Sequence, residues 1–279
     1  MNTACWVDGR PEQSLSTLDR GLHYGDGLFE TLAVRDGHIT MLQRHIERLR
    51  EGCRRLSIPA PDVELLQLEV QAAAENCPRA VLKLIVTRGS GGRGYRPPAA
   101  PEPMRILLRY PWPEYPDSWR QEGVHLRVCA TRLGRNSRLA GLKHLNRLEQ
   151  ILARMEWQDS DRIQEGLMLD EEGLIIEGTM TNVFISRTSS ALATPDLQHC
   201  GVAGLMRAYI LEQAEAAGLD VRVGSLSLVE LLDAREIFLC NSLIGVWPVS
   251  AIDDRIYEIG PLTRRAQQWT DAVMTGVYG

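Results

Sequence analysis

Apolar positions change their spacing several times along the chain, and each change marks an element. In "LFETLAVRDGHI" an extended stretch meets Asp36 and Gly37 and then resumes, which predicts a β-hairpin. The spacing then lengthens. Leu42, Ile46, Leu49, Cys53 and Leu56 recur every three or four residues, so an amphipathic helix is expected there. A second helix is expected over Val63–Ala74. "AVLKLIVTRG" and "MRILLRYP" read as buried strands on either side of the glycine-rich "GSGGRGYRPP".

The second half alternates in the same way. "VHLRVCATRL" predicts a strand, and a helix is expected to begin near Leu145, with Leu145, Leu148, Leu152 and Met155 on one apolar stripe. "GLMLDEEGLIIEGTMTNVFI" reads as strands and turns. "GLMRAYILEQAEAAG" predicts a helix closed by Gly218, and "SLVELLDA" a short helix capped by Ser227. "EIFLCNS" is a strand, and Pro261 opens a last helix reaching about residue 275. Strands and helices mix in both halves, so the expected class is α/β (α+β mixed) in two domains. The prolines of "YPWPEYPDSW" mark the join. The expected division is a smaller N-terminal domain, 1–112, a linker, 113–120, and a larger C-terminal domain, 121–279, that carries Lys143.

Composition narrows the function classes. A net charge of -5 argues against a dedicated nucleic-acid binder. No apolar run approaches the roughly 20 residues of a membrane span. "MNTACWVDGR" lacks the basic and apolar regions of a secretory signal, so a cytoplasmic protein is expected. The six cysteines form no CxxC pair and the six histidines no HExxH, so no metal site is expected.

One compositional feature points to chemistry. Of 31 Lys+Arg, only Lys83 and Lys143 are lysine. An amine can lose its proton and attack a carbonyl, whereas a guanidinium cannot. Lys143 lies in "GLKHLNRLEQ" just ahead of the expected helix stripe; Lys83 lies inside an apolar strand. Glu177 follows an apolar strand in "LIIEGTMTNVF", a fitting place for a buried, aimed carboxylate. In "GVAGLM" a glycine loop enters a helix, where the free amides of Leu205 and Met206 can hold an anion. Arg93 in "GSGGRGY" can reach a substrate carboxylate from a mobile loop. Arg48 sits at the edge of the first helix's apolar face. Each position has a plain structural alternative: a surface lysine, a strand-end glutamate, a glycine turn, a flexible loop, a solvated arginine. Lys83 is an equal candidate to Lys143 on local pattern.

Taken together, "LDRGLHYGDGLFET", "HIERL", "GLKHLNRLEQ", "EGTMTNVF", "GVAGLMR" and "CNSLIGVWPV" resemble, in this order, the fold-type IV pyridoxal-phosphate enzymes. That group includes branched-chain and D-amino acid aminotransferases and aminodeoxychorismate lyases, and "TRGSGGRGY" and "LGRNSRLAGLKHLNRLEQ" are most similar to the lyases. The resemblance implies two α/β domains with pyridoxal 5'-phosphate between them, in a homodimer acting on a small molecule with two carboxylates. It implies Lys143 as the Schiff-base lysine, Glu177 as the partner of the pyridine nitrogen and Arg48 as a phosphate-binding arginine. The amides of Leu205 and Met206 and the hydroxyl of Ser242 would bind the same phosphate. Asn182 would line the cofactor pocket, and Thr31 would lie near the reacting carbon. Arg93, Tyr24 and Asn241 are the candidate substrate contacts. One departure matters: the aminotransferases place a tyrosine where this chain has Arg147, which fits a lyase. The implied activity is conversion of 4-amino-4-deoxychorismate to 4-aminobenzoate and pyruvate. The alternatives are an aminotransferase on the same cofactor and a non-catalytic phosphate- or nucleotide-binding protein using "GSGGRGY".

Overall fold

The computed structural model describes residues 4–275. Its contacts group the chain into two units, Met1–Pro113 with Leu142–Asn146, and Glu114–Gly141 with Arg147–Gly279.

The first unit holds β1 (Ala4–Val7), β2 (Arg10–Pro11), α1 (Arg20–Tyr24), β3 (Gly27–Arg35), β4 (His38–Ile39), α2 (Leu42–Leu56), α3 (Val63–Ala74), β5 (Arg79–Thr87) and β6 (Met104–Pro111). The strands form one antiparallel sheet in the order β2-β1-β6-β5-β3-β4. Asp36 and Gly37 both have positive φ, 50° and 76°, which is what a two-residue hairpin turn with right-handed strand twist requires. Strand alternation then sorts the side chains. Leu28, Glu30, Leu32 and Val34 of β3 and Leu82, Leu84 and Val86 of β5 are buried. Helix α2 packs on β3 and α3 on β5, contributing Ile46, Leu49, Cys53, Leu66 and Val70 to this core. Lys83, expected to be buried on both faces of its strand, is half-buried together with Ile85, because only one face of β5 is covered by the helices.

The five residues Leu142–Asn146 belong to this first unit, although Lys143 was expected in the C-terminal domain. The cause is backbone pairing. The amide of Phe29 donates to Lys143 O at 2.9 Å, and the amide of Leu145 donates to Gly27 O at 3.1 Å. Leu28 faces His144 in an antiparallel bridge. The segment therefore extends the sheet along the start of β3, on the side away from β5.

The second unit holds α4 (Asp117–Gln121), β7 (Val124–Leu133), α5 (Leu148–Arg154), β8 (Glu165–Asp170), β9 (Ile175–Gly178), β10 (Asn182–Thr188), β11 (Ala191–Pro195), α6 (Leu205–Ala216), β12 (Asp220–Gly224), α7 (Leu228–Leu232), β13 (Glu236–Asn241), β14 (Gly245–Ile252), β15 (Arg255–Ile256) and α8 (Pro261–Met274). The sheet runs β12-β11-β10-β13-β14-β7-β8-β9, with β15 beside β14. The pairs β11/β12, β14/β7 and β7/β8 are parallel and the others antiparallel. Val124, Leu126, Leu167, Val183, Ile237, Leu239, Trp247 and Val249 anchor its core. Local signals hold well here. Ser227 and Glu230 form a reciprocal cap at the start of α7, a feature worth about 1 kcal/mol. The buried Glu236 carboxylate accepts the Thr263 amide at 2.8 Å in the first turn of α8, where the helix dipole favours a negative charge.

Two expectations change. The stretch 113–120, expected to be a linker, is largely part of the second unit. Tyr115 and Trp119 meet the Trp247 ring nearly edge-on, at 4.8 and 5.1 Å between centroids, and Asp117 begins α4. Each such pair adds roughly 0.5–1.5 kcal/mol beyond its buried area. The prolines mark a turn into packed structure. The stripe expected to bury α5 also differs. Leu145 lies in the paired segment before the helix, and Leu148, Leu152 and Met155 are 72%, 54% and 68% exposed. The residues α5 buries are Gln150 and Ala153.

Candidate active site

In the first unit, β3 presents two residues with different roles on its two faces. On the half-buried face, Phe29 supplies a ring that both lysines approach, Lys143 Nζ at 4.5 Å and Lys83 Nζ at 5.0 Å from its centroid. Thr31, one pleat further along the same face, lies opposite Lys83 in the β3/β5 register. The two lysines and the candidate hydroxyl thus share one face of one sheet. A ring face attracts an ammonium group and holds it in place.

On the buried face lies Glu30. Its carboxylate takes Arg48 in a fork, Nε to Oε1 at 2.8 Å and Nη2 to Oε2 at 2.5 Å. Oε2 also meets His45 Nδ1 at 2.6 Å. Helix α2 delivers both partners from successive turns, since positions three apart share a face. Burial pushes the Glu30 carboxyl up, but the charge of Arg48 and the hydrogen bonds from Arg48 and His45 override it and hold the group at about 2. His45 moves the other way. Burial lowers it, Glu30 opposes, and the charges of Arg48 and Lys143 lower it further. A neutral His45 donates from Nδ1 to Glu30, which leaves Nε2 as a buried acceptor with no hydrogen-bond partner.

The glycine-rich loop, 89–95, is tied down at both flanks. Arg20, 4% exposed, donates to Gly94 O at 3.0 Å and Tyr95 O at 3.2 Å. Its Nε reaches Asp26 at 2.8 Å, and Arg88 grips the same carboxylate at 2.8 and 2.9 Å. Tyr24 Oη accepts the Gly94 amide at 3.1 Å, so this candidate substrate contact shapes the loop. Arg93 at the loop's tip is exposed.

In the second unit, Glu177 lies one residue before the end of β9, buried, with Oε2 accepting the Val202 amide at 2.8 Å. Arg147 is near enough to feel it. Burial lowers the guanidinium, while the Glu177 charge pulls it back up. Asn182 donates to Val202 O at 3.0 Å, so both residues fix the loop that enters α6. That helix starts at Gly204 with no side-chain cap, leaving the amides of Leu205 and Met206 to an outside acceptor. A Cβ at Gly204 would overlap Asn182 Oδ1. Gly204→Ala should therefore cost about 1–3 kcal/mol, read as a lower urea midpoint of the cofactor-free protein; an unchanged midpoint would show that the loop yields freely. Asn241 Oδ1 accepts the amides of Leu243 and Ile244 at 2.8 and 3.0 Å, folding the turn that carries the half-buried Ser242. Fully buried Glu165 organises the neighbouring turn through Thr179 N at 3.0 Å and Thr181 Oγ1 at 3.2 Å.

A family model described as amino-transferase class IV matches residues 27–252. The chain belongs to this family. Among class IV aminotransferase relatives, it is 39% identical to aminodeoxychorismate lyase of Vibrio harveyi, over 94% of this chain and 97% of that protein. The crystal structure of 4-amino-4-deoxychorismate lyase from Pseudomonas aeruginosa is 52% identical and superposes with a TM-score of 0.92, covering 97% and 99% of the two chains. Branched-chain amino acid aminotransferase of Escherichia coli, at 25% identity, superposes with a TM-score of 0.85 over 99% and 95%. The two-sheet α/β architecture is that of the class IV aminotransferases.

Sequence reasoning passed over Glu30, His45, Glu165 and the Arg20–Asp26–Arg88 cluster. Glu30 carries a readable signal: an acid at an inward position of the apolar run "GLFETLAV", with a His and an Arg three residues apart on the next helix. A buried charge demands partners.

Proposed function

We propose that the protein is a pyridoxal-phosphate-dependent 4-amino-4-deoxychorismate lyase that releases 4-aminobenzoate and pyruvate. The observation that carries this reading is the 52% identity, over nearly the full length of both chains, with the Pseudomonas aeruginosa lyase. The residues present fit the cofactor: a lysine amine held against Phe29, an uncapped helix start at Leu205, and a buried nitrogen of His45 that lacks a partner. When bound, pyridoxal phosphate supplies an aldehyde for amines and a ring that accepts an electron pair.

The chain's own residues do the rest. Lys143 would hold the cofactor through its amine and, as a free amine, would remove the proton from the amine-bearing ring carbon. Glu177 keeps a proton on the pyridine nitrogen. The neighbouring ether C–O bond then breaks, the ring becomes aromatic, and the enolpyruvate fragment leaves. Thr31 or Lys143 gives that fragment the proton that makes it pyruvate. Arg48, Leu205, Met206 and Ser242 hold the phosphate, Asn182 lines the cofactor pocket, and Arg93, Tyr24 and Asn241 are the substrate contacts. Arg147, where the aminotransferases place a tyrosine, is a departure that fits a lyase. The exposed apolar residues Leu148, Ile151, Leu152 and Met155 support a homodimer. The six free cysteines suit a reducing cytoplasm.

The test is direct. Purified protein with added cofactor should release 4-aminobenzoate and pyruvate in equal amounts from 4-amino-4-deoxychorismate, and should sediment as a dimer. Sustained amino transfer from an amino acid to 2-oxoglutarate, with no pyruvate from aminodeoxychorismate, would assign it to the aminotransferases instead.

A further inference from the structure

Glu30, His45 and Arg48 lie on the buried face of the sheet whose other face carries Phe29. Glu30 and His45 are each 1% exposed. Oε2 of Glu30 is shared by His45 Nδ1 and Arg48 Nη2, so the two basic side chains flank one oxygen. The shared bond fixes the imidazole ring and directs its second nitrogen away from Glu30. That nitrogen has no hydrogen-bond partner. An acceptor left so costs roughly 1–3 kcal/mol, and the cost ends when an anion arrives and the nitrogen becomes a charged donor.

We propose that His45 is a second anchor for the anion that Arg48 binds, and that Nε2 takes up a proton as the anion arrives and donates it in a charge-assisted hydrogen bond. This rests on the reading of Arg48 as a phosphate-binding residue. The ionisable groups facing His45 fit the role. Glu30, from β3, stabilises the protonated ring; Arg48, from the same helix, and Lys143, from the paired segment, oppose it. Of the acids on α3, which packs beside α2, Glu69 is occupied by Arg105 at 2.9 Å. The ring therefore stays neutral until a negative charge offsets the two cations. Proton and anion then bind together, and the proton offsets part of the charge that the anion brings into the site.

The probe is 4-deoxypyridoxine 5'-phosphate, which carries the phosphate and no aldehyde, so that Lys143 forms no bond to it. Calorimetric titration of the cofactor-free protein in two buffers of different ionisation enthalpy counts protons taken up. At pH 8 the wild type should take up close to one proton more than His45→Gln. Its affinity should fall by up to about tenfold per pH unit relative to that variant as pH rises from 8 to 9. In wild type alone, ¹⁵N spectra of the imidazole should show Nε2 passing from acceptor to protonated when the probe is added. Equal proton counts in the two proteins, or an Nε2 signal that does not move, would overturn the proposal. Arg48→Met separates the two readings. Unchanged affinity there removes the phosphate assignment and the proposal with it, whereas lost affinity beside an unchanged His45 signal overturns the proposal alone.

Discussion

Lys143→Ala should lower kcat by at least the roughly 10²–10⁴-fold that a positioned acid–base group contributes. It should also abolish the yellow, borohydride-trappable adduct with pyridoxal phosphate. Lys83→Ala should keep the adduct. Both amines lie over Phe29, so proximity to that ring does not distinguish them. Backbone geometry does. Lys143 sits in a short segment that two backbone hydrogen bonds, one of them to its own carbonyl, pair with β3, followed within a few residues by α5. Lys83 is mid-strand in β5, with its backbone engaged on both sides by β3 and β6. Reductive trapping followed by peptide mass spectrometry reads the outcome. A label on Lys83, or on neither lysine, would take the proposed reaction down with it.

The largest expected effect on stability comes from Glu30→Ala. The substitution leaves the Arg48 and His45 side chains without the carboxylate that holds them. Removing one partner of a buried pair costs about 3–5 kcal/mol, which should appear as a lower urea midpoint. Glu30→Gln keeps the shape and part of the hydrogen bonding, so it should lose less. The pH dependence has a definite sign. An unfolded glutamate titrates near 4.3, while folded Glu30 stays ionised to about pH 2. Its stabilisation is complete above roughly pH 4.5 and disappears as pH falls toward 2. Glu30→Gln should flatten that part of the acid-unfolding curve. A variant as acid-sensitive as wild type between pH 4.5 and 2 would show that Glu30 does not carry the effect.

Features decided by neighbours in sequence were legible in the sequence. The Asp36-Gly37 turn, the Ser227 cap and the proline-led α8 each need only a few adjacent residues. Features decided by distant partners were not. Nothing near Lys143 announces that its backbone pairs with Phe29, more than a hundred positions earlier. The apolar stripe of α5 has the right period for burial, but period does not say what covers it, and within this chain those residues stay exposed. Glu30 hid because an acid in an apolar strand is legible only with its two partners on α2. The proposed lysine, its rival, and the carboxylate Glu177 could be named from composition and local pattern. The network behind them needed coordinates.

The pairing of Leu142–Asn146 with β3 limits how the gene can be divided. A fragment ending at Pro113 would encode every strand of the six-stranded sheet, yet it would lack the amide and carbonyl that satisfy Gly27 and Phe29. Such a product would display a raw strand edge, a template for self-association. Expressed alone it should aggregate. Supplying a short peptide that spans positions 142–146, by fusion through a flexible tether, should restore its solubility.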